Sequence, residues 1–256
     1  MYLIVTRSFP PEIGGMQNLM WGLTNNLSKN HMIKVFADYY DGHKSFDENV
    51  SFSIERVGGI KLFRKHRKAQ LINQFIKDNK IDGIIADHWK SLELIKTNKK
   101  KICLIHGKEI NHKKGTTLNS RVLNVLNNVE TVVANSKYTR DLAFKYGVDK
   151  NRVVVINPGI APIKELNKKM LNKVESLLKH RSPRLITISR YDKRKNHEKI
   201  IMALKNLKQI YPDITYICVG YGDEERNLKK LVEELDLKEQ VMFFKNISDE
   251  LKNSLL

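Results

Sequence analysis

The stretch YLIVTRSFPPEIGGMQNLMWGLTNNL, residues 2–27, predicts the fold class of the chain. Residues 2–6 form a nearly continuous apolar run, which is typical of a parallel strand covered on both faces. After the turn PPEIGG, residues 10–15, apolar side chains recur at helical spacing, so 15–29 is predicted as an amphipathic helix. These apolar residues are Met16, Leu19, Met20, Leu23 and Leu27. A strand, a glycine turn and a helix in this order form the repeating unit of an α/β sheet.

The same alternation continues along the chain and predicts two doubly wound, Rossmann-like domains. Further apolar runs that read as strands lie at 32–37, 83–86, 101–106, 131–135, 152–156, 184–189, 214–220 and 240–244. We expect an N-terminal domain over 1–160, an interdomain passage with one helix over 161–182, and part of a second domain over 183–256. A doubly wound domain is built from two βαβαβ halves, and 183–256 fits only the first. The expectation is therefore a C-terminally truncated chain.

Composition excludes several classes of protein. A hydrophobic share of 41% excludes a disordered chain, and no apolar run approaches the ~18–20 residues that span a bilayer. The N-terminus shows no signal-peptide pattern, and Cys103 and Cys218 both lie in apolar runs, so a reducing, cytoplasmic location is predicted. The net charge of +18 comes from dispersed lysine, and no nucleic-acid-binding motif accompanies it.

Three loops that follow predicted strands carry residue types suited to chemistry. In PPEIGG, Gly14 and Gly15 would let backbone approach a ligand, although a tight turn without a ligand explains them equally well. In SRYDKRKN, 189–196, Arg190 and Lys195 would suit a diphosphate beside a helix N-terminus; the alternative is a solvated basic loop. In IHGKE, 105–109, His106 could hydrogen-bond a substrate hydroxyl or move a proton, or be structural.

A fourth loop, ADHWKS at 86–91, also follows a strand. Asp87, His88 and Trp89 are expected to help line the same cleft, with local turn chemistry as the alternative reading.

Taken in order, these segments resemble the GT-B retaining glycosyltransferases of family 4. The matching segments are PPEIGG (10–15), HGKE (106–109), ANSKYTR (134–140), NPGI (157–160), SRYDKRKN (189–196), and VGYGDEERNLKKLVEELDL with VMFFKNIS (219–248). The ordered set is much more specific than any single member.

The resemblance implies an enzyme with two facing Rossmann-like domains that transfers a sugar from a nucleotide-diphospho-sugar to a saccharide or lipid-linked acceptor. It implies that Arg190 and Lys195 stabilise the departing diphosphate and that His106 contacts the transferred sugar. Gly14, Gly15, Gly220 and Gly222 would contact the donor through backbone, and Glu109 would lie on the acceptor side with the 87–89 loop. The family retains anomeric configuration and needs no divalent metal, so neither cofactor nor metal is expected.

Three departures from the family pattern set further expectations. The family's later acidic motif is absent, so donor binding is incomplete and this chain by itself is expected not to transfer sugar. Lys245 stands where the family commonly has glycine, and Lys108 precedes Glu109. A non-catalytic sugar- or membrane-binding remnant of the same fold is the alternative.

The segment KLFRKHRKAQ, 61–70, is predicted to meet an anionic lipid surface. Its cations are Lys61, Arg64, Lys65, Arg67 and Lys68. Leu62 and Phe63 lie beside them, a combination that fits an interfacial amphipathic segment at the inner face of a membrane. The alternative is an ordinary solvated helix start.

Overall fold

The computed structural model describes residues 1–159 and 166–256. The chain forms two compact units, Met1–Ala161 and Pro162–Leu256. The end of the NPGI segment and the first part of the predicted interdomain passage, 160–165, lie outside the described residues.

The first unit is a parallel sheet with strand order β3-β2-β1-β4-β5-β6-β7. Its strands are β1 (Tyr2–Val5), β2 (Ile33–Asp38), β3 (Ser53–Val57), β4 (Gly83–Ala86), β5 (Lys100–Ile105), β6 (Thr131–Ala134) and β7 (Val153–Val155). The helices that follow them are α1 (Gly15–Leu27), α2 (His43–Glu48), α3 (Lys61–Asp78), α4 (Trp89–Leu92), α5 (Thr117–Leu126) and α6 (Lys137–Tyr146). Order and parallel pairing are those of a doubly wound sheet.

Hydrophobic clusters cover both faces of this sheet, which explains why its strands are nearly continuous apolar runs. Leu3 and Val5 of β1 point to one cluster, and Ile4 between them points to the other. The register pairs Val5 with Ala86 and Ile105 with Ala134, so the carboxyl ends of the central strands are aligned along one edge. Loops that follow these strands therefore collect at the same edge.

Strand β3 is absent from the sequence-based prediction. It is an edge strand with one exposed, three half-buried and one buried position, so it lacks the continuous apolar run by which its neighbours were predicted.

The second unit is a smaller parallel sheet with strand order β10-β9-β8. Its strands are β8 (Arg184–Ile188), β9 (Thr215–Val219) and β10 (Val241–Phe244), and its helices are α7 (Lys168–Leu177), α8 (His197–Ile210), α9 (Glu225–Glu234) and α10 (Asp249–Leu255). The chain thus has the predicted α/β architecture of two doubly wound units, the second smaller than the first.

Helix α7 corrects the expected extent of the interdomain passage. Val174 and Leu178 pack with Ile217 and Val219 of β9 in one hydrophobic cluster, so 168–178 is part of the second unit rather than a connection. Leu255 of α10 joins the same cluster. Helices α7 and α10 therefore cover one face of this sheet, while α8 and α9 pack on the opposite face.

Candidate active-site elements

The glycine loop between β1 and α1 leaves backbone groups of a helix N-terminus without side-chain partners. Gly14 is the N-cap of α1, and no side chain caps the helix or places a carboxylate in its first turn. A Cβ on Gly14 would lie 2.3 Å from Oε1 of Gln17, whereas one on Gly15 would meet no atom within 4 Å. The clash at Gly14 involves only the end of the Gln17 side chain, so packing does not require glycine there. Gly15 leaves open space in front of the helix, where an anion would be favoured.

His106 follows β5 at the aligned edge of the first sheet. Its Nε2 is buried and has no hydrogen-bond partner among the described residues. Because an unpaired buried ring nitrogen costs free energy, this atom is available for a substrate hydroxyl.

Glu109 closes the turn that follows β5, and its expected place on the acceptor side stays a prediction. The backbone N–H groups of His106 and Gly107 both donate to its Oε1. The carboxylate therefore closes the turn after β5 and fixes the backbone of His106, so Glu109 is a positioning residue in this geometry.

Two residues of the ADHWKS loop belong to the interior, which corrects the prediction that they line a cleft. Trp89 has no exposed surface, and its Nε1 donates to the backbone oxygen of Glu109 at 2.9 Å. Asp87 is buried and accepts hydrogen bonds from the Thr6 hydroxyl, the Arg7 backbone and the Ser91 hydroxyl, at 2.8, 2.9 and 2.9 Å. Asp87 therefore ties the loop after β1 to the loop after β4.

His88 is half-buried and held in its neutral form. Its Nδ1 accepts from the backbone N–H of Lys90 at 2.9 Å. Burial, followed by the neighbouring cations Arg7 and Lys90, lowers the pKa of His88 to about 3. A neutral imidazole at this edge can exchange hydrogen bonds with a ligand but does not supply charge.

The cations of α3 between residues 61 and 68 differ in exposure and in pairing. Lys68 is only 5% exposed, and its ammonium donates to the backbone oxygen of Thr6 and to Asp38 at 2.7 and 2.5 Å. The prediction that Lys68 meets a membrane is therefore wrong, because its charge is used inside the protein. Lys65 is paired with Glu93, and Arg64 contacts Asp38 at 3.4 Å. Lys61 and Arg67 are exposed.

In the second unit, Arg190 and Lys195 lie in the loop between β8 and α8. Both side chains are exposed. Arg190 has a weak ion pair, 3.8 Å from Asp192, and Lys195 ends a short 3₁₀ turn just before Asn196, the residue that precedes α8. Asn196 is in the left-handed conformation, with φ 59°, and makes no side-chain cap. The helix N-terminus and both cations are thus available to one anion, and their convergence on it stays a prediction.

Gly220 and Gly222 are required by the packing of two loops. A Cβ on Gly220 would lie 1.9 Å from the backbone oxygen of Ser189, and one on Gly222 would lie 2.5 Å from that of Tyr191. The backbone N–H of Tyr191 donates to Tyr221, which joins the loop after β9 to the loop after β8. The glycines thus position the loop that carries Arg190, and their donor contacts stay a prediction.

A buried polar chain under this loop was missed from the sequence. His197 contacts the Ser189 hydroxyl through Nε2 at 3.0 Å and the Tyr216 hydroxyl through Nδ1 at 2.8 Å. Tyr216 in turn donates to Thr187 at 2.9 Å. The NHEKII pattern that opens α8 carries His197 beside the noted cations, but its inward direction depends on β9 and could not be read from spacing.

Within 1–159 and 166–256, no group of three His, Cys, Asp or Glu side chains is arranged to hold a metal ion. No helix in these ranges is both long and apolar enough to cross a membrane.

Curated relatives align with almost the whole chain. A mannosyltransferase of Mycolicibacterium smegmatis, described as GDP-mannose-dependent and acting on phosphatidylinositol monomannoside, is 23% identical over 263 residues, which cover 97% of this chain and 68% of the relative. A mannosyltransferase of Corynebacterium glutamicum, described as acting on the monoacylated form, is 22% identical over 261 residues, covering 94% of this chain and 66% of the relative.

Solved structures share the fold. Anabaena Alr3699/HepE in complex with UDP-glucose superposes with a TM-score of 0.77 at 19% identity, covering 100% of this chain and 71% of that one. A glycosyltransferase from Rickettsia africae gives 0.76 at 20% identity, covering 98% and 69%.

Family models match both units. The model described as Glycosyl transferases group 1 matches residues 169–256, which include the Arg190 loop. The model described as Glycosyltransferase Family 4 matches residues 13–164, more than half of the chain. The chain is a GT-B glycosyltransferase and belongs to Glycosyltransferase Family 4.

Proposed function

We propose that the protein transfers a hexose from a nucleotide-diphospho-sugar to a saccharide or lipid-linked acceptor, with retention of anomeric configuration and without a divalent metal. The relatives that act on phosphatidylinositol mannosides favour a glycolipid acceptor. The relatives named for GDP-mannose favour a mannosyl donor. A structure that shares the fold holds UDP, so UDP-sugars are the alternative donors to test.

The exposed cations of the loop after β8 carry this proposal. Arg190 and Lys195 stand at the carboxyl end of a parallel strand, in front of a helix N-terminus. When the bond between the anomeric carbon and the diphosphate oxygen breaks, negative charge grows on the diphosphate. Cations fixed at that point stabilise the transition state more than the ground state, which lowers the barrier.

His106 supports the proposed contact with the transferred sugar. Its unpartnered Nε2 is suited to a hydroxyl of the transferred sugar, and Glu109 holds the backbone of His106 in place. The acceptor hydroxyl oxygen forms the new bond to the anomeric carbon, and its proton leaves with the diphosphate.

Contact with a membrane surface is part of the proposal. Ile60, Leu62 and Phe63 are 72%, 75% and 63% exposed at the start of α3, beside the exposed cations Lys61 and Arg67. Apolar side chains of this kind insert at the headgroup boundary while neighbouring cations attract anionic lipid. Leu62→Ser/Phe63→Ser should reduce co-sedimentation with anionic vesicles. Unchanged binding would contradict the proposed membrane contact.

Binding and transfer assays with a panel of UDP-, GDP- and ADP-sugars test the main proposal. We expect one nucleotide to bind, and Arg190→Gln/Lys195→Gln to weaken it by about tenfold or more, because charge-assisted hydrogen bonds are lost. Lys173→Gln/Lys205→Gln removes the same charge from exposed positions on α7 and α8 and should leave binding unchanged. Equal effects of the two pairs would contradict the donor site. Where transfer is measurable, either single substitution should reduce turnover by ~10²-fold.

A further inference from the structure

A second basic site lies in the first unit, at the carboxyl ends of β1, β2 and β4. It is a cavity of about 180 Å³ bounded by α3 and α4, well above the roughly 10–15 Å³ that one water needs. The residues that line it are Arg7, Asp38, Lys61, Arg64, Lys65, Lys68, Ala69, Ile72, Lys90, Ser91 and Leu94. Six of them are cations and one is a carboxylate. Four of the cations follow the i, i+3, i+4, i+7 spacing of one helix face on α3.

Only some of these cations form ion pairs with carboxylates of the described residues. Lys68 is held by Asp38 and Lys65 by Glu93. Arg7, Lys61 and Lys90 have no ion pair within 4.0 Å among the described residues. The cations that remain come from three separate places in the chain, namely the loop after β1, the start of α3, and α4.

Arg64 gives a second, independent sign of a ligand. One of its terminal nitrogens contacts Asp38 at 3.4 Å and the other donates to the backbone oxygen of Gly59 at 3.1 Å. Its Nε is buried and lacks a hydrogen-bond partner in the described structure. A buried donor without a partner costs free energy, so the protein groups around Arg64 leave its hydrogen-bonding capacity only partly used.

The accumulated positive charge acts on neighbouring groups. Burial, followed by Arg7, Arg121 and Lys65, lowers the pKa of Lys90. The cations are therefore held together against their mutual repulsion. An anion bound between them would offset this repulsion and raise the pKa of Lys90 again. Asp38 and Glu93 anchor the α3 cations without filling the cavity, since each is already bound to basic side chains.

We propose that this cavity binds a phosphate group of the acceptor, so that acceptors are phosphate mono- or diesters. Several cations that line one small cavity suit a group with several anionic oxygens better than a single carboxylate. The inference rests on the proposed function, because it assigns a substrate class to the same enzyme. It concerns the first unit alone, whereas the predicted nucleotide diphosphate site is in the second.

Inorganic phosphate is the first probe, titrated into the full 256-residue chain by calorimetry. Arg190→Gln/Lys195→Gln is the background, because it removes the predicted diphosphate site. In this background, Arg7→Gln/Lys90→Gln should weaken phosphate binding by about tenfold or more. Lys44→Gln/Lys77→Gln removes the same charge from exposed positions outside the cavity and should have no such effect. Lys90→Arg should retain binding, and circular dichroism checks that each variant is folded.

Co-sedimentation with phosphatidylcholine vesicles that contain phosphatidylinositol is the second probe. If inorganic phosphate does not bind but the cavity pair reduces vesicle binding more than the control pair does, the phosphate is that of a lipid headgroup, and the inference holds. Equal effects of the two pairs on both probes, or no binding of either probe, would overturn it. UDP and GDP binding to the unsubstituted chain is measured separately. If the two probes overturn the inference while a nucleotide still binds, only the phosphate inference fails. If no nucleotide binds, the proposed function fails, whatever the two probes show.

Discussion

At the scale of single residues, several side chains at the strand ends serve to hold loops rather than to meet a ligand. Asp87 joins the loops after β1 and β4, Glu109 closes the turn at His106, and Gly220 admits the backbone of Ser189. Residues at such an edge therefore divide into those that build the loops and those left free, such as Arg190 and Lys90.

Gly220→Ala should destabilise the second unit by at least ~1–3 kcal/mol, because its Cβ would overlap the Ser189 backbone oxygen and the loops would have to separate. Gly22→Ala is the control: it is inside α1, and its Cβ would meet no atom within 4 Å. That substitution should be neutral or stabilising by ~0.5–1 kcal/mol. Denaturant unfolding measures both. A Gly220→Ala protein as stable as the parent would show that the two loops are not packed as described.

His88 makes stability depend on pH. Its pKa is about 3 in the folded protein, against ~6.5 when unfolded. Between these values the unfolded chain binds more protons, so the free energy of unfolding falls as pH decreases, by up to ~1.4 kcal/mol per pH unit. Above the pKa of the unfolded chain His88 is neutral in both states, so the protein retains its full stability with respect to this group. Comparing the parent with His88→Gln at about pH 7 and about pH 5 isolates it, because other groups titrate equally in both. Parallel stability curves would contradict the neutral, buried imidazole.

At the scale of elements, the small second sheet depends on helices that come from both ends of its unit. α7 precedes β8 and α10 follows β10, and together they cover one face with Val174, Leu178 and Leu255. A three-stranded sheet with both faces covered buries more apolar surface than the same strands with one face in water.

Leu255→Ala should therefore destabilise the second unit by ~2–5 kcal/mol, the range for truncating a buried leucine. The adjacent Leu256→Ala is a matched control, because Leu255 is 7% and Leu256 76% exposed; its effect should stay within about 0.5 kcal/mol. Hydrogen exchange of the β9 amides reports the second unit directly. Similar exchange in the two variants would mean that α10 does not cover the sheet.

At the scale of the whole molecule, each unit has its own sheet and its own hydrophobic clusters. Ligand effects should therefore be assignable to one unit. We expect a saturating nucleotide to slow hydrogen exchange in β8, β9 and the start of α8, because Arg190 and Lys195 lie there. At a hundredfold excess over Kd, mass action predicts ~2.7 kcal/mol of protection. Protection confined to residues 1–159 would contradict a nucleotide site in the second unit.

Much of the architecture could be predicted from the sequence because its signals are local. Apolar runs of strand length, helical spacing after glycine turns, and basic residues directly after a strand together specify the strand–loop–helix units. They also specify which loops lie at the carboxyl ends, including those of His106 and Arg190. Strand β3 was not predicted because this edge strand lacks a continuous apolar run. The role of α7 was not predicted because an apolar stripe on a helix does not show which sheet it covers.

Only the tertiary structure decided which side chains of those loops are free. Lys68 is buried because it meets Thr6, 62 residues away, and Asp87 because it meets the same residue across 81. Trp89 is part of the core, while Arg7 and Lys90, which were not among the predicted site residues, line the cavity with α3. The spacing of residues along a strand or helix determines the element, but burial and charge pairing depend on partners that only the folded sheet brings together.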